Sequence, residues 1–406
     1  MSIPPLITPT RRVGAGWIST YVVAGFGMQI ALQSPSTFVM PQQIADIDPA
    51  GKVGGFAWVS IMSAVAGIVA APLFGALSDR TGSRFGRRRP WIVGGALACA
   101  AAFIFLTVQT SVVGVAIGAL LLSIAVSVLG AGYNTIVPDQ VPVTQRGLVL
   151  GWAAVPQAAG LIAGGLLLAL AAGPVAGYLI LAAVLVLVIP FVAVAADQPL
   201  PPERRMPFSL KAFLAGYRID PGRHPDYAWA LATRFLMGFG YGIGTLYIPY
   251  FLQDVVNHPD DLLSVVAING VSVVALSVFS GWLSDRIGRR RILVFVGSAI
   301  MATAAIMLAL SPTWTMTIVT AVVLGVGYGI YIGVDGALIT QVLPAADDQG
   351  RDLAIAGLMG SMPYVIVPAV ASVIISNFGG YSGLYLVSAI ISTLGAVLIW
   401  RIKSVP

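Results

Sequence analysis

The octapeptide GALSDRTG at residues 75–82 decides how this chain is organised, because a near copy, GWLSDRIG, returns at residues 281–288. Six of the eight positions are identical, and the two copies lie 206 positions apart in a chain of 406 residues. Each copy ends a long apolar stretch and is followed by a group of arginines. A repeat separated by half of the chain predicts two halves with the same architecture.

The composition is that of a membrane protein, with 58% hydrophobic and only 9% charged residues, whereas soluble domains carry about 25% charged residues. Charge-free runs lie at 13–45, 53–78, 90–138, 147–196, 235–253, 262–284, 292–334 and 353–400. One crossing needs about 20 apolar residues. Four runs are long enough for two crossings and contain breaks at 107–111, 173–174, 311–313 and 377–380. The sequence therefore predicts an all-α membrane protein with twelve transmembrane helices.

The basic residues predict the orientation of these helices, because Lys and Arg stay in cytoplasmic loops. With the N-terminus inside, 20 of the 22 basic residues fall in alternate loops or at the termini. Of the other two, Lys52 falls in a loop on the outer side of the membrane and Arg234 falls within a helix. We therefore expect a multi-pass protein of the plasma (inner) membrane with both termini in the cytoplasm.

The longest polar interval, residues 197–227, divides the chain into an N-terminal six-helix bundle at 1–196 and a C-terminal six-helix bundle at 228–406. Between Leu210 and Tyr217, apolar residues fall at i, i+3, i+4 and i+7. This pattern predicts a short amphipathic helix on the cytoplasmic membrane surface. The interval is therefore predicted to be a cytoplasmic linker.

Further features repeat between the halves. Arg146 and Arg351 fall in matching turns after the fourth helix, and Pro156 and Pro363 are predicted to interrupt matching fifth helices. Glycines at small-xxx-small spacing, at 325, 329 and 333 and at 160 and 164, are predicted to pack helices together.

Several other functions are excluded by the residues present. The net charge of +6 is explained by arginines in short turns rather than by a nucleic-acid surface. Cys99 is the single cysteine, and the two histidines, His224 and His258, lie in loops. The sequence has neither a phosphate-binding Gly-x-x-x-x-Gly-Lys-Ser/Thr loop nor a His-Glu-x-x-His motif. We expect no enzymatic activity, no cofactor, no metal and no nucleic-acid partner.

Two parallel halves with Gly-x-Leu-x-Asp-Arg-x-Gly loops resemble the major facilitator superfamily over the whole chain. The resemblance implies transport by alternating access. It also implies that both loops form a conformational latch, in which carboxylates bind arginines or a helix N-terminus and glycines permit close helix approach. The latch residues are Gly75, Asp79, Arg80, Arg87, Arg88, Arg89, Gly281, Asp285, Arg286 and Arg289.

The first loop carries a finer resemblance, because Asp79 precedes Arg87 by eight positions whereas Asp285 precedes Arg289 by four. The segment SDRTGSRFGRRRPWI at 78–92 is similar to the loop of the glycoside-pentoside-hexuronide:cation symporters. It is closest to the plant sucrose/proton symporters and their animal and bacterial relatives. A sugar or glycoside substrate and a coupling cation are implied.

One position departs from that branch. The plant sucrose carriers have an acid in the fourth helix, whereas residues 127–133, before Asn134, contain none. The nearest acid, Asp139, follows at the cytoplasmic end. The resemblance therefore supplies no proton site in the fourth helix.

In this fold helices 1, 4, 7 and 10 would line a central cavity, so their polar stripes are candidates for substrate contact. Amides deep in a span need hydrogen-bond partners. Tyrosines suit a sugar but equally suit a helix interface. The candidates, including some on side helices, are Gln29, Gln33, Asn134, Gln157, Tyr241, Asn269, Tyr328, Tyr331 and Tyr364.

Arg234 and Asp335 are predicted to form an ion pair. Each lies six residues inside the expected boundary of its helix, at a depth of about 9 Å. An unpaired charge there would cost at least about 2.5 kcal/mol. The pair is either a static structural contact or the site that senses the coupling ion.

The sequence thus predicts a secondary active transporter of a sugar or glycoside, coupled to protons or sodium and acting as a monomer in the lipid bilayer. A neutral polyol suits the candidate amides and phenols, which exchange hydrogen bonds with hydroxyl groups. The alternative is a drug or metabolite efflux transporter of the same superfamily, which would have a more apolar cavity with fewer amides.

Overall fold

The computed structural model describes residues 9–195, 197, 224–343 and 349–404. These residues form helices and connecting turns and no strand. Twelve helical segments are long and apolar enough to cross a membrane, as the sequence predicts. We number them α1 Ala15–Ile47, α2 Lys52–Ser78, α3 Arg89–Thr107, α4 Val112–Gln140, α5 Val143–Leu168, α6 Pro174–Val194, α7 Pro225–Val256, α8 Pro259–Ile287, α9 Arg290–Leu310, α10 Trp314–Gln341, α11 Ile355–Asn377 and α12 Gly380–Arg401.

The chain separates into two compact units, Met1–Ser209 and Leu210–Pro406. The predicted linker at 197–227 lies outside the described residues except for Asp197 and residues 224–227. Its predicted amphipathic helix is therefore not described.

The two units repeat one packing pattern. In the N-terminal unit, α4 packs on α2 and α3, α1 packs on α5 and α6, and α3 packs on α6. In the C-terminal unit, α10 packs on α8 and α9, α7 packs on α11 and α12, and α9 packs on α12. Each helix pair in the C-terminal unit corresponds to a pair in the N-terminal unit whose helix numbers are lower by six. The internal repeat therefore extends from the loop motif to the helix neighbours.

Glycines bring α8 and α10 into backbone contact. A Cβ atom at Gly325 would lie 2.6 Å from the carbonyl oxygen of Asn269, and one at Gly329 would lie 2.6 Å from that of Val273. Gly333 meets the carbonyl of Ser277 in the same way. The predicted small-xxx-small packing is confirmed here.

Glycines also allow close contact between α1 and α5. A Cβ atom at Gly160 would lie 2.7 Å from the Cβ atom of Gln29, and Gly164 lies against Ser34. The second small-xxx-small pair therefore packs helices as well.

One expectation about the fifth helices is wrong. α5 runs without interruption through Pro156, whereas α11 is divided at Met362, directly before Pro363, into Gln349–Ser361 and Pro363–Asn377. A proline in a helix removes one hydrogen bond and bends the axis, but the next turn can continue. The two prolines match in sequence position without having the same local effect.

Candidate functional site

An ion pair lies inside the spans of the C-terminal unit. Arg234 on α7 donates from Nη1 to Oδ2 of Asp335 on α10 at 2.6 Å. The whole Asp335 residue is 7% exposed. The pair predicted from equal depth in the sequence is therefore present, and each charge has a counter-charge in a low-dielectric environment.

A tyrosine completes the coordination of this carboxylate. Tyr331, one turn before Asp335 on α10, donates its hydroxyl to Oδ1 at 2.9 Å. Both oxygens of Asp335 therefore accept a hydrogen bond, one from a guanidinium and one from a phenol. Because Tyr331 is only 3% exposed, this predicted substrate residue is a buried support of the ion pair.

Two further candidate tyrosines stack face to face. The rings of Tyr241 on α7 and Tyr328 on α10 have centroids 3.7 Å apart and an interplanar angle of 9°. Tyr328 also contacts the ring of Tyr331 at 5.9 Å. An aromatic column therefore runs from α7 to the residue that holds Asp335.

Asn269 on α8 holds Tyr241, the first residue of this aromatic column, in place. Its Oδ1 accepts the hydroxyl of Tyr241 at 2.7 Å, and its Nδ2 donates to the carbonyl of Ala321 at 3.1 Å. One amide thus connects α7, α8 and α10. Its two ends are engaged within the protein, so the geometry favours positioning of Tyr241 over contact with a ligand.

Tyr364 lies on α11 and is 53% exposed. Its hydroxyl has no hydrogen-bond partner among the described residues. The adjacent Pro363 packs against α7, where a Cβ atom at Gly238 would lie 3.2 Å from its ring. Tyr364 is therefore open to a ligand, unlike Tyr331 and Asn269.

The amides of the N-terminal unit are open as well. Gln29 and Gln33 on α1 are half-buried, whereas Asn134 and Gln157 are exposed. None of these four side chains is hydrogen-bonded to another residue in the part of the chain that the structure describes. They retain the donors and acceptors that a polar ligand would use.

An aromatic cluster that the sequence reasoning missed joins α1, α4 and α6. The rings of Tyr21 and Tyr133 stack at 4.4 Å, and the hydroxyl of Tyr133 donates to the carbonyl of Tyr21 at 3.0 Å. Trp17 and Phe191 pack against Tyr21. The spacing of Trp17 and Tyr21, four residues apart on α1, was the available signal.

The first latch is a buried charge network. Arg88 contacts Asp79 through Nη2 at 2.7 Å and Asp139 through Nε at 2.8 Å, and Arg87 also binds Asp139, at 2.5 Å. Both arginines are 2% exposed. Asp139 is thus a latch residue although it lies outside the loop motif.

A second acid, also missed from the sequence, caps α3. Oδ2 of Asp197 accepts hydrogen bonds from the backbone amides of Arg88 at 2.5 Å and Arg89 at 2.8 Å. A carboxylate at this position satisfies free N–H groups and opposes the positive end of the helix dipole. Gly86, with φ of +104°, leaves room for it, because a Cβ atom there would overlap the Asp197 side chain.

The second latch is much looser than the first. Asp285 is paired at 3.6 Å with Arg290, which is not among the predicted latch residues, and its side chain is 78% exposed. Arg286 lies over the ring of Trp282 at 5.1 Å. Exposed ion pairs are weak because water screens them.

The two latches also differ at their glycines, only one of which lies close to a neighbouring helix. A Cβ atom at Gly281 would lie 3.4 Å from the carbonyl of Gly333 on α10, so close approach occurs there. A Cβ atom at Gly75 would have no neighbour within 4 Å among the described residues. The close approach expected at Gly75 is therefore wrong. Arg80, in the turn that follows α2, donates from Nη1 to the carbonyl of Ala76 on that helix.

Twelve spans in two copies of one six-helix packing pattern, with an ion pair inside them, define a polytopic membrane transporter. The chain belongs to the Major Facilitator Superfamily, whose family profile matches residues 17–276 and 230–406. Its members are transporters rather than enzymes.

Among solved structures, the chain is similar to a crystal structure of a mutant of the nucleoside transporter NupG. The TM-score is 0.72 and the sequence identity 12%, and the match covers 95% of this chain and 99% of that one. At this identity the likeness concerns the fold alone. No curated protein matches the chain in sequence.

Proposed function

We propose that this protein is a proton-coupled secondary transporter of a sugar or glycoside. The observation that carries the proposal is the unit formed by Arg234, Asp335 and Tyr331 within the membrane spans. Ionisable residues inside spans are rare and mark ion pathways in transporters. Asp335 is the one acid in the interior of the described spans, since the others lie near helix ends.

The geometry favours a proton over sodium. Both oxygens of Asp335 already accept from donors, and a sodium ion needs several free oxygen ligands at its site. A proton needs only one carboxylate oxygen. Protonation of Asp335 would remove the counter-charge of Arg234 and so shift the balance between two conformations. The groups that face the carboxylate are Arg234 from α7 and Tyr331 from α10, with Tyr328 beside Tyr331.

Two features support a polyhydroxylated substrate. The unbonded amides of Gln29, Gln33, Asn134 and Gln157 in the N-terminal unit can exchange hydrogen bonds with hydroxyl groups. In the C-terminal unit, Tyr364 is 53% exposed and offers an aromatic face of the kind that packs on sugar rings. The similarity of segment 78–92 to the sugar:cation symporters agrees with this substrate class.

Uptake by proteoliposomes tests the proposal. Purified protein is supplied with labelled monosaccharides and disaccharides under an inward proton gradient, and separately under an inward sodium gradient at equal pH. We expect accumulation of a sugar with the proton gradient only. Accumulation driven by sodium alone would contradict proton coupling. A drug-like compound or a nucleoside transported in place of every sugar would contradict the substrate class.

A further inference from the structure

The second copy of the loop motif differs from the first at two positions, and both differences place a large apolar side chain on the surface. Ala76 corresponds to Trp282, which is 54% exposed, and Thr81 corresponds to Ile287, which is 51% exposed. In the first copy, the hydroxyl of Thr81 accepts a hydrogen bond from the indole of Trp91 at 2.7 Å. An isoleucine cannot make this contact. The second copy therefore presents to its surroundings an apolar surface that the first copy lacks.

Trp282 is the last residue of an exposed apolar stripe along α8. Val271, Val274 and Val278 are exposed, and spacings of three and four residues place them on the same helix face as Trp282. From Val271 to Trp282 the stripe is about 16 Å long, which is about the depth of one leaflet of a bilayer. Tryptophan at the end of a span lies at the level of the lipid headgroups.

Two arginines follow the stripe without a counter-charge. The guanidinium of Arg286, one turn beyond Trp282, lies over the indole ring at 5.1 Å. Arg286 and Arg289 are exposed, and neither side chain makes a hydrogen bond or ion pair with another residue that the structure describes. The acid of this loop, Asp285, is paired with Arg290 at 3.6 Å. Two cations therefore lie where the apolar stripe ends.

The first loop obtains its counter-charges from the protein itself. Asp139 binds Arg88, and Asp197, which follows α6, accepts backbone amides at the start of α3. In the C-terminal unit, residues 402–406 after α12 contain no acid, and Asp226 binds the amides of residues 403 and 404. The start of α9 has no side-chain cap. The second loop thus differs from the first in charge as well as in apolar surface.

We propose that the end of α8 and the start of α9 bind an anionic phospholipid. Its phosphate lies on Arg286 and Arg289, and an acyl chain follows the stripe that ends at Trp282. A lipid uses both parts of this surface, whereas a free anion would use the arginines alone. This end of α8 is predicted to face the cytoplasm, where the membrane leaflet carries anionic lipids that attract basic segments.

Native mass spectrometry of the purified full-length chain tests this proposal without reference to any transported substrate. The protein is titrated with phosphatidylglycerol and, separately, with phosphatidylcholine of the same acyl chains, and the fraction that retains lipid gives an apparent affinity. We expect tighter binding of phosphatidylglycerol. Phosphatidylcholine carries a cation beside its phosphate, which the two arginines repel.

Four variants locate the site. Arg286→Gln and Arg289→Gln each remove one charge at the membrane surface and should weaken phosphatidylglycerol binding by about fivefold, with little change for phosphatidylcholine. Trp282→Ala introduces the residue of the first copy and should weaken binding of both lipids. Arg286→Lys keeps the charge and should bind like the parent protein. The control is Arg12→Gln, which removes an exposed charge from the N-terminal unit and should have little effect.

Thermal unfolding in detergent provides a second measurement. Arg286→Gln should unfold at the same temperature as the parent protein when no lipid is added, because the exposed side chain forms no hydrogen bond within the described residues. Phosphatidylglycerol should then raise the unfolding temperature of the parent protein more than that of Arg286→Gln.

Three results would overturn the proposal. One is equal phosphatidylglycerol affinity in Arg286→Gln, Arg289→Gln and the Arg12→Gln control. Another is stabilisation by inorganic phosphate that matches that by phosphatidylglycerol and is lost in Arg286→Gln, since the arginines would then bind a free anion. The third is a dimer in the native spectra that Trp282→Ala converts into a monomer, which would make the stripe a contact between two copies of the chain.

Discussion

The carboxylate of Asp197 caps α3 by accepting the backbone amide of Arg88, although the two residues are 109 positions apart. Asp197 follows α6, and Arg88 lies in the loop after α2. The start of the segment between the two units is therefore attached to the first latch.

Replacing Asp197 should weaken this attachment. Asp197→Ala leaves two backbone N–H groups without their acceptor and should destabilise the fold by about 1 kcal/mol. Asp197→Asn retains one acceptor oxygen and should lose less. Thermal unfolding of the purified protein in detergent measures the difference. Asp46→Ala, which removes an exposed aspartate, is the control and should have little effect. Equal stability of Asp197→Ala and the control would contradict the cap.

The two latches should respond differently to the same substitution. Asp79→Asn breaks an ion pair to a buried arginine and should destabilise the protein by about 3 kcal/mol. Asp285→Asn removes an exposed partner and should change the stability by less than about 1 kcal/mol. Unfolding of the two variants under identical conditions makes the comparison. Similar losses would show that burial does not distinguish the loops.

Asp335→Asn mimics the protonated carboxyl group. We expect the variant to lose gradient-driven accumulation of substrate while it retains exchange of labelled for unlabelled substrate, because exchange needs no net proton movement. Proteoliposome uptake and exchange assays across pH 5 to 8 measure both. Asp260→Asn, an exposed aspartate at the start of α8, should behave like the parent protein. Accumulation equal to the parent would assign coupling to another residue.

If Asp335→Asn loses both activities, the double variant with Arg234→Met decides the cause. Restored exchange would indicate that the uncompensated arginine blocked transport. Continued loss at normal expression would assign the ion pair a structural role.

The orientation is tested by cysteine labelling in intact cells, after Cys99→Ala removes the single native thiol. An impermeant maleimide should label Lys52→Cys, because this position is predicted to face outside. Lys403→Cys should react only after the cells are opened. Labelling of position 403 in intact cells would reverse the predicted topology.

The sequence predicts the helices and the central ion pair because each depends on one physical quantity. The cost of charge in a bilayer determines the twelve spans, and equal depth brings Arg234 and Asp335 together. The roles of Asp139 and Asp197 could not be predicted this way. Their contacts with Arg88 depend on how α4 and α6 pack on α3, which is a tertiary relationship between distant residues.

The candidate site, too, could be predicted from the sequence only in part. Polar residue type identified Tyr241 and Asn269, but their hydrogen bond to each other depends on the approach of α7 to α8. A list of polar side chains cannot distinguish a group that holds another group from one that awaits a ligand. For the same reason, the similar positions of Pro156 and Pro363 did not reveal that α5 continues where α11 divides.

The glycine-mediated contact between α8 and α10 provides a constant reference distance for measurements of conformational change. Two helices in backbone contact cannot slide without breaking that contact, so spin labels on their outer faces should keep one distance in every conformational state. Val278 on α8 is 70% exposed and Ile332 on α10 is 44% exposed, and both can be replaced by cysteine in the Cys99→Ala background. A distance distribution that stays narrow and constant upon addition of substrate would calibrate all other label pairs, whereas a change in it would identify sliding within this unit.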